Sequence, residues 1–190
     1  MNRTEDVVGD LVAANQILGA LGVLDGFGHV SVRHPARPDR YLLSRSLAPE
    51  LVTAEDIMTF DLASIAQEDD LRAPYLERFI HGAIYARRSD VHAVVHSHAA
   101  SVVPFSVSSV HLRAIAHTSA FLRRGAPVFD IRRRSGMTDM LIRDPDQGEA
   151  LAAAIGDQAV VLMRGHGIRS SNGPLKRSNW AEPRCSSSAQ

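Results

Sequence analysis

Cysteine is all but missing from this chain. Cys185 is the single one among 190 residues, so an intrachain disulfide is excluded and a reducing compartment, the cytoplasm, is the expected location. An excess of charge is missing too. The 21 basic residues balance 21 acidic ones, for a formal net charge of zero. That removes the electrostatic case for nucleic acid or an acidic membrane as partner. Arg132-Arg133-Arg134 reads as a solvated loop rather than a nucleic-acid patch. No apolar run reaches membrane-spanning length, and Met1-Asn2-Arg3-Thr4-Glu5-Asp6 does not read as a secretory signal. Internal repeats are absent as well. What is present, 45% hydrophobic and 22% charged residues, is the composition of one globular domain.

The chemistry begins at His96-Ser97-His98, which ends the apolar run Val91-His92-Ala93-Val94-Val95. In a strand, residues i and i+2 share a face. His96 and His98 therefore present two imidazoles to one point, an arrangement that suits a divalent transition metal. The plainer alternative is a pair of core or surface histidines. A third histidine follows the buried-strand pattern Val160-Val161-Leu162-Met163, within Arg164-Gly165-His166-Gly167. Glycines on both sides of His166 allow a sharp turn and a close approach. Three histidines from two strands leave a coordination position open, the pattern of a catalytic rather than a structural site.

Glu77 opens a helical pattern, Pro74 to Tyr85, with Leu76, Phe79, Ile80, Ala83 and Ile84 at helical spacing. It is placed in the first turn, where the helix dipole tolerates a carboxylate. Taken alone it reads as a solvated first-turn Glu. His81, one turn later, reads as a structural histidine bonded to backbone rather than as a ligand.

These residues carry a resemblance. Gly28-His29-Val30-Ser31-Val32-Arg33, Glu77-x-x-x-His81-x-x-x-Tyr85, Val94-Val95-His96-Ser97-His98 and Leu162-Met163-Arg164-Gly165-His166-Gly167 occur in the order and spacing of the class II aldolase/adducin family. The resemblance spans residues 5 to 168. It implies an α/β fold, a three-layer α/β/α sandwich on a mainly antiparallel sheet, assembled as a homotetramer. It makes His96, His98 and His166 the metal ligands and Glu77 the acid/base carboxylate. Zinc or manganese is the expected ion, although three imidazoles also accept cobalt or iron.

Departures from the family pattern narrow the reaction. Family aldolases bind sugar phosphate with an Asn where this chain has His29, and with small hydroxyl residues where it has Tyr75 and Leu76. Leu43-Ser44-Arg45-Ser46 lacks the usual loop glycine and supplies a guanidinium, which suits a planar carboxylate. Where aldolases carry a proton-donating Tyr, this chain offers His117. These differences resemble the decarboxylase branch, acting on hydroxylated aromatic or pyridine dicarboxylates. The chemistry agrees: loss of carboxylate beside a hydroxyl or carbonyl leaves an enolate, which a divalent metal stabilises as a Lewis acid. Glu77 or His117 then protonates the carbon. His29, Ser44 and Arg45 are the expected holders of the substrate carboxylate, with loop capping or a surface charge as the alternative for each. Two other classes stay open, a sugar-phosphate aldolase or epimerase and a truncated non-catalytic relative.

The remaining expectations concern layout. Helices are predicted over 5–24 (with Val8, Leu11, Val12, Ile17 and Leu18 inward), 75–87, 99–105 and 146–155, the last opened by Asp144-Pro145. Strands are predicted at 29–33, 41–44, 57–61, 91–96, 111–116, 127–131 and 159–164. The domain is predicted to end at 168. From Arg169 to Gln190 only Leu175 and Trp180 are large and apolar, so 169–190 reads as a disordered tail. The family continues there with a strand, Gly-Pro and a long helix. Codons for Arg169-Ser170-Ser171-Asn172-Gly173-Pro174 exist for which a one-base shift encodes Val-Val-Ala-Met-Gly-Pro. The reading is a frameshift just after His166, and resequencing that found no base change relative to close relatives would sink it.

Overall fold

The computed structural model describes residues 3–172, apart from Glu68 and Arg123. Residues 173–190, most of the expected tail, lie outside the described residues.

Helix α1 (Arg3–Ala20) carries Glu5 and Asp6 in its first turn, where the dipole favours them. It buries Leu11, Asn15 and Gly19. Ile17, expected to face inward, is exposed, because the buried stripe runs through positions 11, 15 and 19. The helix stops short of residue 24: Val23 N–H bonds Leu18 O and Gly22 N–H bonds Gly19 O, a Schellman closure.

Strands β1 (His29–Arg33), β2 (Arg40–Ser44) and β3 (Ile57–Asp61) form an antiparallel meander. Helix α2 (Arg78–Arg87) leads to β4 (Ala93–Ser97). A short helix α3 (Val103–Val107), β5 (Val128–Phe129) and a single-turn α4 (Arg132–Ser135) follow. Helix α5 (Pro145–Ile155) is capped as expected, with Asp144 accepting from Gln147 N–H. Strands β6 (Val160–Met163) and β7 (Gly167–Asn172) complete a seven-stranded sheet of order β3-β2-β1-β4-β7-β6-β5. Every pairing is antiparallel except β5 with β6.

Helices cover both faces. α2 and α5 enclose Tyr41, Leu43, Met58, Phe60, Val94 and Val161, while α1 covers Val30 and Leu42 with Leu11 and Leu24. This is the three-layer sandwich expected.

Two expectations about the sheet change. Residues 111–116 form no strand; Val110 and Ile115 are exposed. Alternation alone makes no strand without a neighbour to pair with, and β4 is already flanked by β1 and β7. The sheet also runs past residue 168. β7 pairs residue by residue with β4 from Ser97↔Ile168 to Ala93↔Asn172, so residues 169–172 belong to the sheet. Their backbone pairing does not depend on side chains, and composition therefore concealed it.

Candidate metal centre

Three stretches of backbone bring four side chains together. β4 delivers His96 and the residue just past it, His98; the β6–β7 turn delivers His166; the start of α2 delivers Glu77. One ligand atom from each lies within 4.8 Å of every other. Glu77 Oε2 stands 3.2 Å from His96 Nε2 and 3.3 Å from His166 Nε2. His166 Nε2 stands 3.1 Å from His98 Nε2.

Local sequence explains the convergence. The turn at Gly165 has φ of +66°, a region that favours glycine. At Gly167 a Cβ would lie 2.6 Å from Ser97 O and 3.1 Å from His98 Cδ2. Only glycine lets β7 start this close to the His96-Ser97-His98 segment. Glu77 is the N-cap residue of α2 and makes no cap bond, one step before the first turn in which it was expected. Its side chain turns inward, where Oε1 accepts from Ile142 N–H at 3.2 Å.

The outer partners set the ring orientations. His98 Nδ1 donates to Asp25 Oδ1 at 2.9 Å. His166 Nδ1 donates to Met140 O at 2.9 Å, a carbonyl aimed by a residue with φ of +67°. Each bond fixes the proton on Nδ1 and turns a bare Nε2 toward the cluster. Two imidazole lone pairs thus face one another across 3.1 Å. His96 is fully buried, yet among the described residues neither of its ring nitrogens makes an aligned hydrogen bond; the Glu77 oxygen 3.2 Å from Nε2 meets the distance but not the angle. Both observations fit a cation-binding site. Donors about 2.1 Å from a tetrahedral ion sit roughly 3.4 Å apart, close to the spacings found. Three imidazoles and a carboxylate fit a divalent transition metal.

The electrostatics point the same way. Burial pushes His96 down to about 4, in spite of Glu77 beside it. Burial opposes charge on Glu77, but His166 and His96 outweigh it and hold the carboxyl well below its usual range. His166 is raised, since Glu77 overcomes the effect of burial. His29 and His81 are held far below the ordinary imidazole range, by burial first and then by neighbouring His96 and Arg169.

Glu77, His98 and His29 open onto a cleft of about 470 Å³ walled by Phe27, Tyr75 and Leu76. His29 lies opposite His96 in the β1–β4 register, with its ring 4.3 Å from that of Tyr75. Other expected site residues fall elsewhere. Ser44 is buried on β2 and does not line the cleft. Arg45 turns away, its Nε donating to Asp56 Oδ1 at 2.6 Å; Ser46 faces the cleft instead. His117 is exposed in a short 3-10 turn, His117–Leu122, and joins neither the cluster nor the cleft of its own chain. His81 bonds side chains, Ser31 and His29, rather than backbone. Sequence reasoning passed over Asp25, Phe27 and Ser46. Asp25 lies 73 residues from the histidine it orients, and its one local clue is the Asp-Gly-Phe-Gly turn before His29.

Comparison with known proteins agrees. Residues 9–172 match the family described as Class II Aldolase and Adducin N-terminal domain. A decarboxylase of Talaromyces stipitatus, tropJ, is 37% identical over 180 residues, covering 88% of this chain and 68% of that protein. A 3,4-dihydroxyphthalate decarboxylase of Arthrobacter keyseri is 29% identical, covering 88% and 69%. An aldolase II superfamily protein of Pseudomonas syringae shares the fold with a TM-score of 0.75 at 24% identity, covering 90% of this chain and 67% of that one. An L-fuculose 1-phosphate aldolase shares it with a TM-score of 0.73 at 19% identity, covering 92% and 78%. The chain belongs to the class II aldolase and adducin family.

Proposed function

We propose that this chain is a divalent-metal-dependent carbon–carbon lyase that decarboxylates a hydroxylated aromatic or pyridine (di)carboxylate. The observation that carries the reading is the convergence of Glu77, His96, His98 and His166, of which Glu77 and His98 line a cleft walled by Phe27, Tyr75 and Leu76. Decarboxylases among the relatives support the choice of reaction.

His96, His98 and His166 would hold the ion, zinc or manganese, and Glu77 stands beside them. When bound there, such an ion supplies Lewis acidity toward a substrate oxygen. Phe27, Tyr75 and Leu76 match the flat apolar face of an aromatic ring and exclude water from it. No pair of small hydroxyl residues precedes Glu77 to cradle a phosphate. His29 meets a carboxylate of the substrate. Glu77 is ionised, so it can take the proton of the substrate hydroxyl and deliver it to the ring carbon that bears the carboxylate. The bond to the carboxylate then breaks, carbon dioxide leaves, its electron pair restores the aromatic ring as the phenolate, and the phenolate takes up one proton from solvent.

Assembly as a homotetramer and a cytoplasmic location complete the reading. In such an assembly the exposed His117 and the apolar side chains near it, Val110, Ile115 and Phe121, are covered by neighbouring subunits, and His117 can serve only a site on another chain. Ser44 and Arg45 act by shaping the loop that ends in Ser46. No helix among the described residues is long and apolar enough to cross a membrane.

The test is metal content of the purified protein, compared with a His96→Ala/His98→Ala variant, followed by carbon dioxide release from hydroxy-aromatic dicarboxylates. The expected result is roughly one ion per chain, lost in the variant, with carbon dioxide release. Metal without release moves the assignment to a sugar-phosphate aldolase or an inactive relative. A folded protein without metal removes both catalytic readings.

A further inference from the structure

Behind the cleft, β1 and α2 share a buried chain of hydrogen bonds that supplies no ligand to the metal centre. Tyr85 Oη lies 2.9 Å from Ser31 Oγ. Ser31 Oγ lies 2.5 Å from His81 Nδ1. His81 Nε2 lies 2.7 Å from His29 Nδ1. All four residues are sealed from solvent at their outer faces, and His29 alone among them lines the cleft. Two sit on β1 at i and i+2, two on α2 at i and i+4, so each pair shares a face.

These three bonds are not independent. A neutral imidazole has one proton, so a ring that donates at one nitrogen accepts at the other. A guanidinium nitrogen 3.3 Å from the His81 ring, Arg169 Nη1, disfavours a second cation there. The chain therefore has two states. In one, Tyr85 donates to Ser31, Ser31 to His81 Nδ1, and His81 Nε2 to His29 Nδ1, which leaves the His29 proton on Nε2. In the other every bond is reversed, and His29 Nε2 is a bare lone pair.

The far end decides between them. The Tyr85 hydroxyl has two polar neighbours, Ser31 Oγ at 2.9 Å and the Val94 N–H, and of these only Ser31 can accept a proton. If it accepted from Ser31, its own proton would be buried without an acceptor, which disfavours that state by about tenfold or more. Arg169 does not choose, because Nη1 is 3.4 Å from His81 Nδ1 and 3.3 Å from His81 Nε2.

We infer that Tyr85, Ser31 and His81 are positioning residues that lock His29 as its Nε2–H tautomer, so that the cleft offers a neutral donor to an unprotonated oxygen, a carboxylate or phenolate, of the bound substrate. This rests on the cleft being the substrate site. It assigns three buried polar residues a task in recognition that no contact with substrate would reveal.

The experiment is long-range proton–nitrogen correlation on the full chain labelled with nitrogen-15 histidine, with the His29 peaks assigned by their loss in His29→Gln. The expected pattern is a protonated Nε2 and a bare Nδ1 on His29. A protonated Nδ1 overturns the inference. Two variants add a binding readout with phthalate as probe. His81→Gln keeps an N–H for His29 Nδ1, and binding stays within about twofold of the parent, whereas His81→Leu weakens it about tenfold. Equal binding by the two variants overturns the inference. The tautomer is read without turnover, so the two readings fail separately. Nε2–H without carbon dioxide release sinks only the proposed reaction; Nδ1–H with release sinks only the positioning chain.

Discussion

Arg169 is buried where the sheet wants an apolar residue, and removing its charge tests that reading. Register sets Arg169 between His96 on β4 and Val161 on β6, on the face covered by α2 and α5. Its side chain is fully buried. Among the described residues Nε and Nη2 have no partner, and Nη1 reaches only the nitrogens of His81. Burial pushes the guanidinium down to about 9, against the pull of Glu77, so it remains charged at neutral pH. Arg169→Met keeps an unbranched chain of similar length and removes the cation. Two buried nitrogens without partners cost about 1–3 kcal/mol each. Against this stands the lost attraction to Glu77 and His81, about 1 kcal/mol. The net expectation is a gain on the order of 1–5 kcal/mol, overlapping the range seen when buried charges give way to apolar groups. For a domain of this size each kcal/mol moves Tm by about 2–4 °C, so Tm rises by roughly 2–20 °C. Thermal unfolding followed by far-ultraviolet circular dichroism at pH 7 measures it. An unchanged or lowered Tm would refute the reasoning and show that Glu77 compensates the buried cation in full.

Three further outcomes follow from the geometry. Asp25→Ala removes the acceptor that orients His98, and zinc affinity, read by competition with a chromogenic chelator, drops about 10–100-fold; unchanged affinity would deny Asp25 that role. Gly167→Ala drives a Cβ to 2.6 Å from Ser97 O and costs about 1–3 kcal/mol in urea unfolding, together with loss of metal; a variant as stable as the parent would contradict the close approach. Asp56 is held below its usual range by Thr53 N–H and by the Arg45 guanidinium. A depressed folded pKa means that its stabilisation is complete above the unfolded value of about 3.9 and is lost as pH falls through the folded value. Asp56→Asn therefore lowers stability at pH 7 and flattens the acid limb; parallel stability–pH curves for the two proteins would rule this out.

What the sequence disclosed depended on the range of the interaction. His96 and His98 were legible because a period of two is a local property of a strand, and Asp144-Pro145 marked α5 because capping acts within three residues. Glycines at 165 and 167 foretold a close approach without naming its target. Asp25, Phe27 and Ser46 were hidden because each reaches the site across tertiary distance. Ser44 and Arg45 were assigned together to substrate, but adjacent residues on an extended segment point opposite ways, and the outward one pairs with Asp56. At 111–116 an alternating pattern found no strand to pair with.

The polar end of β7 carries the most consequential of these lessons. Arg169-Ser170-Ser171-Asn172 has no apolar alternation, yet its backbone pairs with β4 throughout. Two of its side chains, Arg169 and Ser171, face inward and are buried with polar atoms left unpartnered. Those are the positions where the one-base frame change would place Val and Ala, residues that a core position between strands accepts without polar penalty. The backbone of β7 pairs as a core strand, while two of its buried side chains are polar. The four candidate ligands, Glu77, His96, His98 and His166, precede this point in the chain, and the buried Arg169 cation lies behind them. On this argument Arg169→Val with Ser171→Ala should recover stability while leaving metal content unchanged. A double variant that lost its metal would show instead that the buried cation has become part of the site.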